Sequence, residues 1–131
     1  MIAPGLEETA QQTVTEDMTA AEIGSGDVPV LGTPAVLALV ERVAVAAVAP
    51  ALQPGTTTVG VRVELDHLAA TPPGSLVSAS ARLEASRGRA LTFSFEVSDA
   101  AGVMARGRHV RVIVVREEFL QGAAARTNPP G

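Results

Sequence analysis

Glu41 stands inside Thr33-Pro-Ala-Val-Leu-Ala-Leu-Val-Glu-Arg-Val-Ala-Val-Ala-Ala-Val-Ala-Pro50, a helix-length run that is otherwise almost wholly apolar. On a helix its neighbours Leu37, Ala44, Val45 and Val48 are all apolar. A carboxylate costs free energy to bury unless it is paired, protonated or used. Used, it can attack an electrophilic carbon or take a proton from water. The plainer reading is a solvated helix residue beside Arg42. A second candidate, His67, ends an apolar strand pattern, where an imidazole can transfer protons or simply finish the strand. Thr33 opens the helix, and its hydroxyl can cap the helix, donate to a ligand, or both.

These side chains need elements to hold them. Thr33 followed by Pro34 is a helix start, and Pro50 with Pro54-Gly55 sets its end. Residues 57–67 alternate with period two. Val59, Val61, Val63, Leu65 and His67 share one face, and Thr58, Gly60, Arg62, Glu64 and Asp66 the other. A turn at 71–74 leads to a strand with Val77, Ala79, Ala81 and Leu83 on its apolar face. A tight hairpin at 86–89 precedes Leu91, Phe93, Phe95 and Val97, again in alternation. A turn at 99–102 leads to a last strand over 103–115. Residues 13–20 are expected to form a first strand. The first ten residues and the stretch 121–131 read as loose tails, with an ordered core over about 12–120 in a single domain of 1–131. The order is strand, long helix, then four antiparallel strands: an α+β fold with one helix against a curled antiparallel sheet.

Composition narrows the chemistry. The 131 residues contain no Cys, so disulfides and thiolate chemistry are excluded. All ten basic residues are Arg; without Lys there is no Schiff base and no Walker-type phosphate loop. A net charge of −4 argues against nucleic acid as a partner. No residue pattern calls for a metal or a cofactor. The start of the chain lacks the basic and apolar regions of a signal peptide, and the apolar stretch 34–52 carries Glu41 and Arg42, which favours an internal helix over a membrane span. A cytoplasmic protein is expected. The helix is rich in Ala and Val, leaving apolar surface for a second copy to cover, so a homodimer is expected as well.

Thr33 and Glu41 lie roughly two turns and about 12 Å apart along the helix, on the same broad side. If the odd-numbered face of the strand meets that helix, His67 points toward it. The segments Gly32-Thr-Pro-Ala-Val-Leu-Ala-Leu-Val-Glu41 and Thr57-Thr-Val-Gly-Val-Arg-Val-Glu-Leu-Asp-His67 resemble the hotdog-fold acyl-CoA thioesterases, in particular the fluoroacetyl-CoA thioesterase type. Ala69-Ala-Thr-Pro-Pro-Gly74, Gly88-Arg-Ala-Leu-Thr-Phe93 and Gly107-Arg-His-Val-Arg111 continue the likeness, which covers roughly 13–120.

The resemblance implies a long central helix wrapped by a curled sheet and an acyl-CoA or related thioester as substrate. It implies Thr33, Glu41 and His67 as catalytic residues, and Gly60 and Arg111 as substrate-binding positions. Read by itself, Gly60 can also mark a bulge. Arg111 can be an ion-pair partner or a phosphate contact, and His109 reads as structural. A non-catalytic hotdog dimer that binds an acyl thioester is the alternative. A hydratase dyad is disfavoured, because Asp66 and His67 are adjacent on a strand and face opposite ways. Members of the fluoroacetyl type carry aromatic side chains before the helix, whereas residues 27–31 here are Asp-Val-Pro-Val-Leu. The acyl group is therefore expected to be larger than fluoroacetyl.

Overall fold

The computed structural model describes residues 2–127. A strand β1 (Glu7–Thr13) is followed by one short helical turn α1 (Ala20–Ile23) and the long helix α2 (Thr33–Val48). Four strands then run in succession: β2 (Thr56–His67), β3 (Leu76–Arg87), β4 (Ala90–Asp99) and β5 (Gly102–Val115). A helix α3 (Arg116–Ala125) ends the described chain. All pairings are antiparallel and the sheet order is β1-β3-β4-β5-β2. This is the α+β hotdog arrangement: one sheet curled around one helix.

The period-two alternation of β3 and β4 places Val77, Ala79, Ala81, Leu83, Leu91, Phe93, Phe95 and Val97 on the inner face, where all are buried. Across from them, Val36, Leu39, Val40, Val43, Ala44, Ala47 and Val48 recur at helical spacing and are also buried. Fully burying a Val or Leu side chain contributes about 1.5–3 kcal/mol, so this two-layer contact is the main stabilising surface. The opposite face of α2, with Ala38, Val45, Ala46 and Ala49, stays exposed.

Four expectations need correction. The first strand is residues 7–13, not 13–20. It is a polar edge strand, Glu-Glu-Thr-Ala-Gln-Gln-Thr, with no apolar alternation to betray it; its backbone pairs with β3 from Glu7↔Arg82 to Thr13↔Leu76. Much of the first ten residues is therefore sheet rather than tail. At the other end, the expected loose stretch is helix as far as Ala125, and 128–131 lie outside the described residues. Thr33 is not the helix cap either. Gly32 takes that position, and the Thr33 hydroxyl is engaged elsewhere.

The last correction concerns β2. Its register against β5 slips between Gly60, opposite Arg111, and Arg62, opposite Val110, so Val61 is an extra residue. Such a bulge inverts the facing of everything beyond it. Thr58 is buried on the inner side, while Val61 is 57% exposed. Past the bulge the odd residues turn inward, and Leu65 and His67 are half-buried. Val59 and His67 do not share a face.

Beyond the bulge, β2 crosses close over β5. A Cβ built on Gly107 would collide with the Glu64 carbonyl and sit 2.9 Å from the Phe95 ring. A backbone carbonyl cannot swing aside as a side-chain tip can. Gly107→Ala should therefore destabilise by more than the roughly 1–3 kcal/mol of ordinary overpacking. Urea unfolding checks this; an unchanged midpoint would mean that β2 does not cross β5 so closely.

Candidate active site

The inner face of β5 carries two polar side chains, His109 and Arg111, directly below the middle of α2. Both are buried, at 2% and 6% exposure. A buried guanidinium must be compensated. Arg111 Nε donates to Thr58 Oγ1 at 2.9 Å and Nη2 to the Thr58 carbonyl at 3.0 Å. Nη1 donates to Glu41 Oε2 at 3.0 Å and lies 3.1 Å from His109 Nε2. Glu41 thus carries its charge over the sheet, against an arginine, with its side chain 39% exposed.

Gly60 makes room for that carboxylate. A Cβ there would lie 2.7 Å from Glu41 Oε2, 3.2 Å from His109 Cε1 and 3.3 Å from Arg111 Nη1. The bulge that follows Gly60 also turns the Arg62 carbonyl to His109, whose Nδ1 is 2.8 Å away. Burial pushes the His109 pKa below its ordinary 6.5. The Arg62 carbonyl opposes that shift, the Arg111 cation reinforces it, and Glu41, 4.0 Å from Nε2, opposes it.

Thr33 and His67 form a second, separate pair. Thr33 Oγ1 and His67 Nδ1 are 2.8 Å apart. The helix start supplies one and the end of β2 the other, once the bulge has turned His67 inward. His67 Nε2 is enclosed yet meets no hydrogen-bond partner among the described residues. Native proteins satisfy nearly all such atoms. A shallow hollow of about 330 Å³ opens beside the pair, lined by Val30, Leu68, Ala69 and Ala70.

The five expected site residues therefore fall into two groups within the chain. Glu41, Gly60 and Arg111 meet; Thr33 and His67 meet; the groups stand about two helical turns apart. Of the two readings of Arg111, the ion pair is the one present. Thr58 was missed as a partner of Arg111, and His109, read as structural, proves to be part of the same cluster. The available signal was on β5, where the odd positions 105, 107, 109 and 111 face the helix, so His109 shares the inner face with Arg111. No cluster of three or more His, Cys, Asp or Glu suited to a metal exists among the described residues.

Residues 14–117 match the family described as fluoroacetyl-CoA-specific thioesterase. A fluoroacetyl-CoA thioesterase of Streptantibioticus cattleyicolor is 34% identical over 90 residues, which cover 69% of this chain and 65% of that protein, slightly under two thirds of its length. Among solved structures, a point variant of the fluoroacetyl-CoA-specific thioesterase FlK in complex with fluoroacetate and CoA superposes with a TM-score of 0.85. It shares 28% identity and covers 90% of this chain and 99% of that one. A hypothetical protein of Thermus thermophilus, a thioesterase superfamily member, gives a TM-score of 0.88 at 27% identity, covering 99% and 98%.

The buried imidazole has a consequence for stability. Its folded pKa lies below the unfolded value, so the unfolded chain binds the proton first as pH falls. Stability from this group is complete above about pH 6.5 and declines below it. His109→Gln removes that linkage. Chemical denaturation of both proteins between pH 7.5 and about pH 5 should show a steeper loss in the wild type. Parallel curves would mean that His109 takes up its proton as readily folded as unfolded.

Proposed function

The chain belongs to the fluoroacetyl-CoA-specific thioesterase family, and from that premise we propose that it hydrolyses an acyl-CoA thioester to a carboxylic acid and free CoA. The observation that carries this reading is the Glu41 carboxylate. One of its oxygens is anchored by Arg111 above the side-chain-free Gly60, and the other is hydrogen-bonded by none of the described residues. An anchored carboxylate with one free oxygen can attack the thioester carbon to form a mixed anhydride, or take a proton from an attacking water. In both routes the C–S bond breaks, the electron pair leaves with sulfur, and the CoA thiolate takes up a proton; in the anhydride route water then cleaves the Glu41–acyl anhydride, releasing the acid and restoring the carboxylate. His67 handles that proton, Thr33 donates to the carbonyl or orients the water, and N–H groups at the start of α2 receive the developing oxyanion. The missing side chain at Gly60 lets the carboxylate sit against the sheet in the position from which it acts.

The working unit in this reading is a homodimer. Strand β2 is an edge of the sheet, with Val61 57% and Val63 36% exposed. The outer face of α2 carries the small apolar Ala38, Val45 and Ala46, with the exposed Arg42 among them. Pairing β2 with its copy about a two-fold axis would cover both, and would lay the two α2 helices antiparallel. The start of one helix then lies beside the middle of the other. Glu41 of one protomer faces Thr33 and His67 of the partner, which supplies what a single chain keeps two turns apart. Where CoA thioesters are made, in the cytoplasm, such an enzyme has its substrate.

The acyl pocket follows from residues 27–31. They contain no aromatic ring, and Val30 among them lines the hollow beside Thr33 and His67. Each additional methylene buried on such walls adds about 0.8 kcal/mol of binding. Thiol release measured over an acyl-CoA panel should show kcat/KM rising from acetyl- and fluoroacetyl-CoA to butyryl- and hexanoyl-CoA, and Glu41→Gln should abolish turnover in a folded protein. No thiol release from any member of the panel would leave a thioester-binding protein without hydrolysis. A marked preference for fluoroacetyl-CoA would overturn the pocket argument alone.

A further inference from the structure

The partners of His109 allow its ring only one chemical form. The Arg62 carbonyl is an acceptor and nothing else, so Nδ1 must carry a proton and donate to it. Arg111 Nη1 is a donor and nothing else, so Nε2 must present its lone pair. A neutral imidazole protonated at Nδ1 satisfies both. A protonated ring would aim an N–H at an N–H and set a cation beside a cation.

This constraint reaches Glu41. The Arg111 guanidinium is planar and carries five N–H groups in a fixed fork. Thr58 holds its Nε and Nη2 side. Of the three N–H groups left, the second on Nη2 meets no acceptor among the described residues, and the two on Nη1 divide: one meets Glu41 Oε2 at 3.0 Å, the other His109 Nε2 at 3.1 Å. With the latter engaged by His109, the former has one direction left. The contact to Glu41 runs through Nη1 alone, and the other carboxylate oxygen is hydrogen-bonded by none of the described residues.

We propose that His109 is a positioning residue for Glu41: held by the Arg62 carbonyl at the bulge, it fixes the Arg111 guanidinium and so decides which carboxylate oxygen is offered to the reaction. This rests on the reading of Glu41 as the hydrolytic carboxylate. His109 itself touches no reacting atom. The charged groups that face it are Glu41 from α2 and Arg111 from its own strand. From β4 it meets the uncharged ring of Phe93, at 6.4 Å between centroids. From β2 it meets only the Arg62 carbonyl, since the Arg62 side chain is exposed and pairs with Glu64 at 2.6 Å.

The test compares His109→Leu, which keeps bulk and removes both hydrogen bonds, with His109→Gln, whose amide can donate to a carbonyl and accept from a guanidinium. Turnover of an acyl-CoA that the wild type hydrolyses should fall roughly 10- to 100-fold in kcat for the Leu variant, the scale of a misplaced reacting group, with KM little changed. The Gln variant should regain most of it. Because burial holds the folded His109 pKa below its ordinary value, its protonation should cost the wild type kcat only below about pH 6.5, and the Gln variant should lose that component while keeping any acid dependence that comes from His67. A second readout needs no turnover: the carboxyl carbon resonance of Glu41, assigned with Glu41→Gln, should move in the Leu variant and return in the Gln variant. A folded Leu variant with wild-type kcat, or an unmoved Glu41 resonance, would overturn the proposal. If the Leu variant fails to fold, His109→Met takes its place, and a Glu41 resonance unmoved in it counts against the proposal. If the wild type hydrolyses no thioester, the proposed function falls, and the resonance still decides whether His109 positions Glu41.

Discussion

A permanently charged guanidinium on the inner face of the sheet has to be matched, and much of the local structure is arranged around Arg111. An arginine this deep costs several kcal/mol in lost hydration unless its charge is paired and its N–H groups are occupied. Thr58 supplies both a hydroxyl and a carbonyl, His109 a lone pair, and Glu41 the opposite charge. The carboxylate in the middle of an apolar helix is thereby explained without any appeal to function. It is half-exposed, anchored through one oxygen, and aimed over the sheet. The same anchoring is what a carboxylate needs in order to attack a substrate from a fixed position.

The bulge at residues 60–62 shapes both of the separate clusters. On its near side it leaves Gly60 under Glu41. At the bulge it turns the Arg62 carbonyl to His109. On its far side it reverses the strand, so that His67 reaches Thr33. A regular strand could not do this, because residues 58 and 67 differ by an odd number and would face opposite sides. One extra residue lets Thr58 and His67 both point inward.

The legible parts of the fold were those governed by a simple period. Strands β3 and β4 alternate without interruption, and their buried residues are those the pattern names. The long helix and its limits were marked by Thr33-Pro34 and Pro50. The pattern misled at β2, where an unbroken run of alternating valines conceals a bulge; Gly60 inside the strand was the only local sign. Strand β1 left no apolar trace because both its faces are largely exposed, and its place comes from backbone pairing alone. Within the site, Glu41 and His67 could be picked out as polar residues in apolar runs. The link between Glu41, Arg111 and His109 could not, since it depends on the register of β5 against β2 and on which way the bulge turns the chain.

The central claim is that catalysis needs Glu41 of one protomer and the Thr33–His67 pair of the other. Mixing two inactive proteins tests it most directly. Glu41→Gln and His67→Ala homodimers, dissociated together and reassembled, give hybrids in which one of the two sites keeps both groups. With half of the dimers hybrid, thiol release should return to about a quarter of the wild-type rate, far above either parent. Hybrids demonstrated by native mass spectrometry that release no more thiol than the parents would contradict the account.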